Sequence, residues 1–144
     1  MATLRREVRI QRPAAEAWAI VGDPGLIQLW FPGIVSSTVE DTEEGVVRTV
    51  TLGSGVPLTE LIVTNDPIAR RFQYSITGGI FREHLATVDV IDLGDETSLV
   101  VYGTDAVPDV MALVPGGASG AALDNLKLLV ESGRHDEPTE ETNR

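Results

Sequence analysis

The chain contains no cysteine. That absence excludes a disulfide, a thiolate nucleophile and a thiolate metal site, and it is compatible with the cytoplasm, the expected location. Histidine is nearly as scarce: His84 and His135 are the two present, too few for a His-based metal centre. Positive charge is in short supply as well. Eleven Lys and Arg stand against 22 Asp and Glu, a net charge of −11. A surface this acidic repels phosphate backbones and anionic lipid, so neither nucleic acid nor a membrane surface is an expected partner. No apolar run approaches the roughly 20 residues that cross a bilayer, so membrane insertion is not expected. The start of the chain, although basic, lacks the apolar segment of a signal peptide. Gly53-Ser54-Gly55 and Gly116-Gly117 lack the residues of a phosphate loop, and no cofactor is expected.

What is present suffices for one domain. At 144 residues, 42% hydrophobic and 23% charged, the chain has the length and apolar content for its own core. That domain is expected over 1–132. Beyond it, 133–144 holds Asp136, Glu137, Glu140 and Glu141 against Arg134 and Arg144, and has no apolar residue to bury. It is predicted to be a disordered acidic tail.

Residues 118–132 form the segment that reads as a long helix. Ala118, Ala122, Leu126, Leu129 and Val130 recur at steps of three and four, with Leu123 beside them. Gly133 stands where a helix stop is expected, and Pro115-Gly116-Gly117 reads as a break before the start. Upstream, Pro13 opens a short helix over 14–21, and a second is expected over 25–30. Alternation predicts strands over 3–11, 34–40, 46–52, 57–64, 71–77, 82–93 and 98–107, with a helical turn within 108–114. A series of strands closed by one long helix predicts an α+β fold, one sheet folded around one helix. The first half of that helix is built from Ala, Ser and Gly, and such small side chains leave room against the sheet.

Strand parity predicts what the interior sees. Val88 and Val90 carry Ala86 and His84 inward with them. Phe72, Tyr74 and Ile76 share one face, and Val46, Val50 and Leu52 bring Arg48 along. The strand over 57–64 is apolar on both faces: either Leu58, Glu60 and Ile62 point in, or Thr59, Leu61 and Val63 do. With Glu60 inward, the interior holds Arg48, Glu60 and His84 among aliphatic walls, and a buried carboxylate needs a partner that Arg48 would supply.

These segments also carry a resemblance. PAAEAWAIVGDPGLIQLWFPGI over 13–34 resembles the opening of the START/Bet v 1-like (SRPBCC) superfamily in its polyketide cyclase/dehydrase branch. GVVRTVTLGSGVPLTE over 45–60, ARRFQYSITGG over 69–79 and ALDNLKLL over 122–129 follow in the matching order, so the likeness covers nearly all of 3–132. It implies the helix-grip fold: a seven-stranded antiparallel sheet wrapped around a long C-terminal helix, with two short helices after strand 1 and a cavity between sheet and helix. The plant abscisic-acid receptors are more distantly similar. Their Ser-Gly-Leu-Pro gate resembles Ser54-Gly55-Val56-Pro57, and the likeness implies pocket roles for Arg48, Glu60, His84 and Tyr102. Gly78 to Phe81 matches a second loop at the pocket mouth. The lysine that holds the hormone in those receptors has no counterpart at Leu29-Trp30-Phe31, and their latch sequence is absent, so a hormone-receptor role is not expected.

Combined with the inward faces, the resemblance makes the expected ligand-binding set Arg48, Val50, Leu52, Val56, Pro57, Glu60, Tyr74, Phe81, His84, Tyr102, Ala118 and Ala122. The first functional expectation is binding of a small, largely apolar or amphipathic molecule, lipid- or polyketide-like, in that cavity. An alternative is a polyketide cyclase/aromatase or dehydratase in which His84 and Glu60 form the catalytic acid/base pair, Glu60 sets the His84 tautomer and Arg48 stabilises an enolate. A further alternative is an interaction module that forms a homodimer through Leu61 and Val63 on the outer sheet face.

Overall fold

Each alternating segment becomes a strand. The computed structural model describes residues 1–133; the expected tail, from 134 on, lies outside the described residues. The strands are β1 (Ala2–Ile10), β2 (Ile34–Thr42), β3 (Gly45–Leu52), β4 (Pro57–Asp66), β5 (Arg71–Ile76), β6 (Glu83–Gly94) and β7 (Thr97–Val107). They form one antiparallel sheet in the order β1-β7-β6-β5-β4-β3-β2. Every neighbour except β1–β7 is a neighbour in sequence, which short turns readily allow. The β6–β7 turn places Gly94, Asp95 and Glu96 in the left-handed region, which Gly, and to a lesser degree Asp, tolerates.

After β1 comes α1 (Ala14–Val21), with Pro13 immediately before its first residue and no side-chain cap. The second short helix is a 3₁₀ helix over Pro24–Leu29; Asp23 caps it by accepting the Gly25 N–H. Trp18 lies across Gly22 so closely that a Cβ there would meet its indole ring at 2.6 Å. Trp30 is buried and meets Tyr102 edge-on.

The long helix α2 (Leu113–Ser132) begins five residues before the expected start. It follows directly on a 3₁₀ turn over Asp109–Ala112. Pro115-Gly116-Gly117 is therefore not a break but the first turn of the helix. A proline there forfeits nothing, because the first N–H groups of a helix have no partner. Gly116 is buried against the Leu4 side chain of β1, where a Cβ would overlap it. At the other end Gly133 closes the helix in the left-handed conformation, as expected. Leu123, Leu126 and Val130 are fully buried, whereas Leu129 is only half-buried.

The core is one-sided. Val88, Val90, Val100 and Tyr102 on the inner sheet face, Ala17 and Ile20 of α1, and Leu123, Leu126 and Val130 of α2 are all buried together. Burial of each large aliphatic side chain contributes about 1.5–3 kcal/mol. The helix α2 lies over β1 and β7, and α1 lies over β6 and β7. The inner faces of β3, β4 and β5 are thus not covered by the packed half of the helix. On β4 the two-way parity resolves to Leu58, Glu60 and Ile62 inward, with Thr59 and Val63 exposed and Leu61 half-buried outside. No helix among the described residues is long and apolar enough to cross a membrane.

Candidate functional site

Arg48 of β3 and Glu60 of β4 are directly opposite in the antiparallel register. Cross-strand partners project to the same face, so both enter the interior side by side. Arg48 Nε donates to Glu60 Oε1 at 2.6 Å, and Arg48 Nη1 donates to the Pro24 carbonyl at 3.1 Å. The guanidinium also lies over the rings of Phe72 and Tyr74, 5.4 and 4.9 Å from their centroids, a favourable cation–π arrangement. Arg48 is 2% exposed and Glu60 4%. Burial raises the Glu60 carboxyl above its ordinary value, and the Arg48 charge pulls part of that back. The second oxygen, Oε2, accepts no hydrogen bond from any described residue.

Behind this pair the Tyr74 and Tyr102 hydroxyls are hydrogen-bonded to each other. Both phenols are buried and raised by that burial, so both stay neutral. His84 lies at the start of β6, where Ile76 N–H donates to its Nδ1 at 2.9 Å. A backbone N–H can only donate, so Nδ1 is the acceptor and the proton sits on Nε2. Nε2 is buried without a partner. Burial depresses the imidazole from 6.5 to about 4, with Asp105 pulling weakly the other way. The backbone of Ile76, rather than Glu60, thus sets the tautomer. No hydrogen bond joins His84 to Glu60 among the described residues.

Between sheet and helix lies a cavity of about 620 Å³. Of the residues expected to bind a ligand, Val50, Leu52, Pro57, Glu60, Tyr74, Phe81 and Ala118 stand on its wall. Arg48 and Tyr102 instead wall a separate void of about 10 Å³, with Tyr74 common to both; that is room for about one water. His84, Val56 and Ala122 are on neither wall. His84 is covered by the Phe81 ring, 4.9 Å away edge-on, Val56 is 48% exposed on its loop, and Ala122 is sealed in the helix–sheet contact. Met111 and Val114 also line the cavity. They escape notice in the sequence because the helix is expected to begin only after them. Ile76, also on the wall, is legible from strand parity alone; Leu58 beside it is not, because its strand is apolar on both faces.

The family of polyketide cyclases/dehydrases and lipid-transport proteins matches residues 1–131. The chain belongs to this family. The segments that resemble the superfamily in sequence therefore lie in a domain that shares its fold. Among solved structures, this family member superposes on XoxI from Bacillus cereus at 24% identity, with 94% of this chain and 99% of that one covered and a TM-score of 0.81. It is similar to the di-domain aromatase/cyclase BexL of the BE-7585A biosynthetic pathway, at 20% identity and TM-score 0.77, covering 91% of this chain and 47% of the two-domain protein. Norcoclaurine synthase from Thalictrum flavum aligns at 19% identity and TM-score 0.73, covering 92% of this chain and 95% of that one. At these identities the likeness is one of fold. No curated protein matches the chain in sequence.

Proposed function

We propose that the chain binds a small, largely apolar molecule in the cavity between the sheet and α2, in the cytoplasm. One observation carries this reading: a cavity of about 620 Å³ whose wall holds a single charged side chain, Glu60, among aliphatic and aromatic neighbours. Ligand pockets run to roughly 300–1,000 Å³ and combine apolar walls with a few placed polar groups. The membership of a family that includes lipid transport supports the same reading. Nile red, a neutral apolar dye, tests it by fluorescence titration and native mass spectrometry. The expected result is saturable one-to-one binding in the micromolar range, weakened at least about tenfold by Ala118→Phe, which fills the cavity. Absence of saturable binding by the unaltered chain overturns the reading.

A second reading is catalytic, a cyclase/aromatase or dehydratase step on a polyketide-like substrate. Its support is Glu60, a carboxyl raised by burial and placed on a cavity wall, as proton-transferring groups often are. In this reading Glu60 moves the proton and Arg48 holds its carboxylate in place, while His84, the partner expected from the sequence, lies off the cavity wall. A Glu60→Gln variant that turns over a poly-β-ketone thioester as fast as the parent chain removes this reading while leaving the binding one intact.

A further inference from the structure

We propose that the molecule received by this cavity enters with a neutral hydrogen-bond donor first, an alcohol or phenol hydroxyl that Glu60 Oε2 accepts. The inference rests on the cavity-binding reading and names the chemical class of its ligand. Glu60 is the one charged group among the residues on the cavity wall, which no Lys, Arg or His shares; the other titratable group there, the Tyr74 phenol, is bonded to Tyr102 and stays neutral. Its Oε1 is engaged by Arg48 Nε, and its Oε2 has no partner among the described residues. The unmet capacity of the one charged group on the wall is therefore that of an acceptor, and only a donor can meet it.

The nearby cation does not change this polarity. Arg48 spends Nε on Glu60 and Nη1 on Pro24, and its planar face lies over Phe72 and Tyr74. Its unpartnered Nη2 belongs to a residue of the small void, with space for about one water and none for a ligand head. The other unpartnered donor, His84 Nε2, is likewise off the cavity wall. A ligand carboxylate would meet the Glu60 carboxylate with no cation on its side. A ligand ammonium would add a net positive charge to a pair that is already balanced. Either leaves an uncompensated buried charge. A hydroxyl leaves the charge balance unchanged and completes the hydrogen bonding of Oε2. The opposite end of the cavity explains why the polar end goes in rather than out: Ile80 and Val114 line it and are 66% and 69% exposed, an apolar rim suited to an apolar tail.

The test is competition against bound Nile red by four compounds with one shared ring system: naphthol, methylnaphthalene, naphthoate and naphthylmethylammonium. With the unaltered chain, naphthol is expected to compete about tenfold better than methylnaphthalene, the usual worth of a hydrogen bond to a charged group. Naphthoate and naphthylmethylammonium are expected to be the weakest, at least about tenfold below naphthol. In Glu60→Gln, whose amide both donates and accepts, the naphthol advantage over naphthoate should shrink to within about threefold. Should that variant not fold, the ranking by the parent chain still decides. Naphthol no better than methylnaphthalene, or either ion equal to naphthol, overturns the inference while apolar binding stands. Failure of Nile red itself to bind overturns the cavity reading and this inference together.

Discussion

The two halves of α2 meet the same sheet and do opposite things. In the second half Leu123, Leu126 and Val130 join Ile10, Val90 and Val100 in one core cluster, and all six are buried. In the first half the buried positions are Gly116, Ser119 and Ala122, while Val114, Pro115 and Ala118 face the cavity. Gly116 allows close approach to Leu4 on one side, yet the side chains on the other side are too short to reach β3, β4 and β5. Protein interiors are otherwise close-packed, so a helix that changes from large to small side chains along its length converts a core into a container. The polar groups follow the same division: Arg48, Glu60, Tyr74 and His84 are buried near the hollow end. An open space beside them gives a buried carboxylate something to face besides hydrocarbon.

The largest expected effect strikes the hollow end through its ion pair. Arg48→Met leaves Glu60 buried without its cation and should cost about 3–5 kcal/mol in urea unfolding near neutral pH. The sign with pH follows from the direction of the Glu60 shift. Loss of the guanidinium raises the folded carboxyl further, and a carboxyl raised on folding favours the native state at low pH and loses that advantage as pH rises through the folded value. The deficit of the variant should therefore be smaller at about pH 5 than at about pH 8. A deficit that does not vary with pH means that Glu60 is not stranded by the change.

Next in size is a matched pair on the helix. Leu126→Ala in the packed half should cost about 2–5 kcal/mol. Ala118→Leu in the hollow half should shift stability by less than about 1 kcal/mol, because the added methyl groups enter space rather than neighbours. Equal losses from the two changes would erase the contrast between the halves.

The smallest effect is at His84. Its imidazole is lowered on folding from 6.5 to about 4, so its contribution is complete above 6.5 and drains away as pH falls through that window. The loss should be on the order of 1 kcal/mol and should be absent in His84→Gln. An imidazolium cannot accept from Ile76 N–H, so the Ile76 amide should lose exchange protection over the same interval. An unchanged Ile76 amide between those pH values would show that the bond to Nδ1 is not what titrates.

Much of this architecture is legible along the chain. The seven strands and the inward parity of Arg48, Phe72, Tyr74 and His84 follow from a period of two, a pattern local enough to read from neighbours. Parity fails on β4, where Leu58 to Val63 is apolar on both faces; only its register with β3, which sets Glu60 opposite Arg48, resolves it. The start of α2 is hidden for a related reason. Pro115-Gly116-Gly117 is a break by local propensity, and contact with Leu4, more than a hundred residues away in sequence, makes it a helical turn.

By itself, then, the order of residues determined which elements form, in what succession, and which side chains turn inward from most strands. Tertiary structure decided that Arg48 reaches Glu60 and Pro24, that His84 answers to Ile76 rather than Glu60, and that about 620 Å³ stays open between them and the helix. Alternation is a relation between adjacent residues and can be read one window at a time. A cavity is the volume left when elements distant in the chain have packed, and no window contains it.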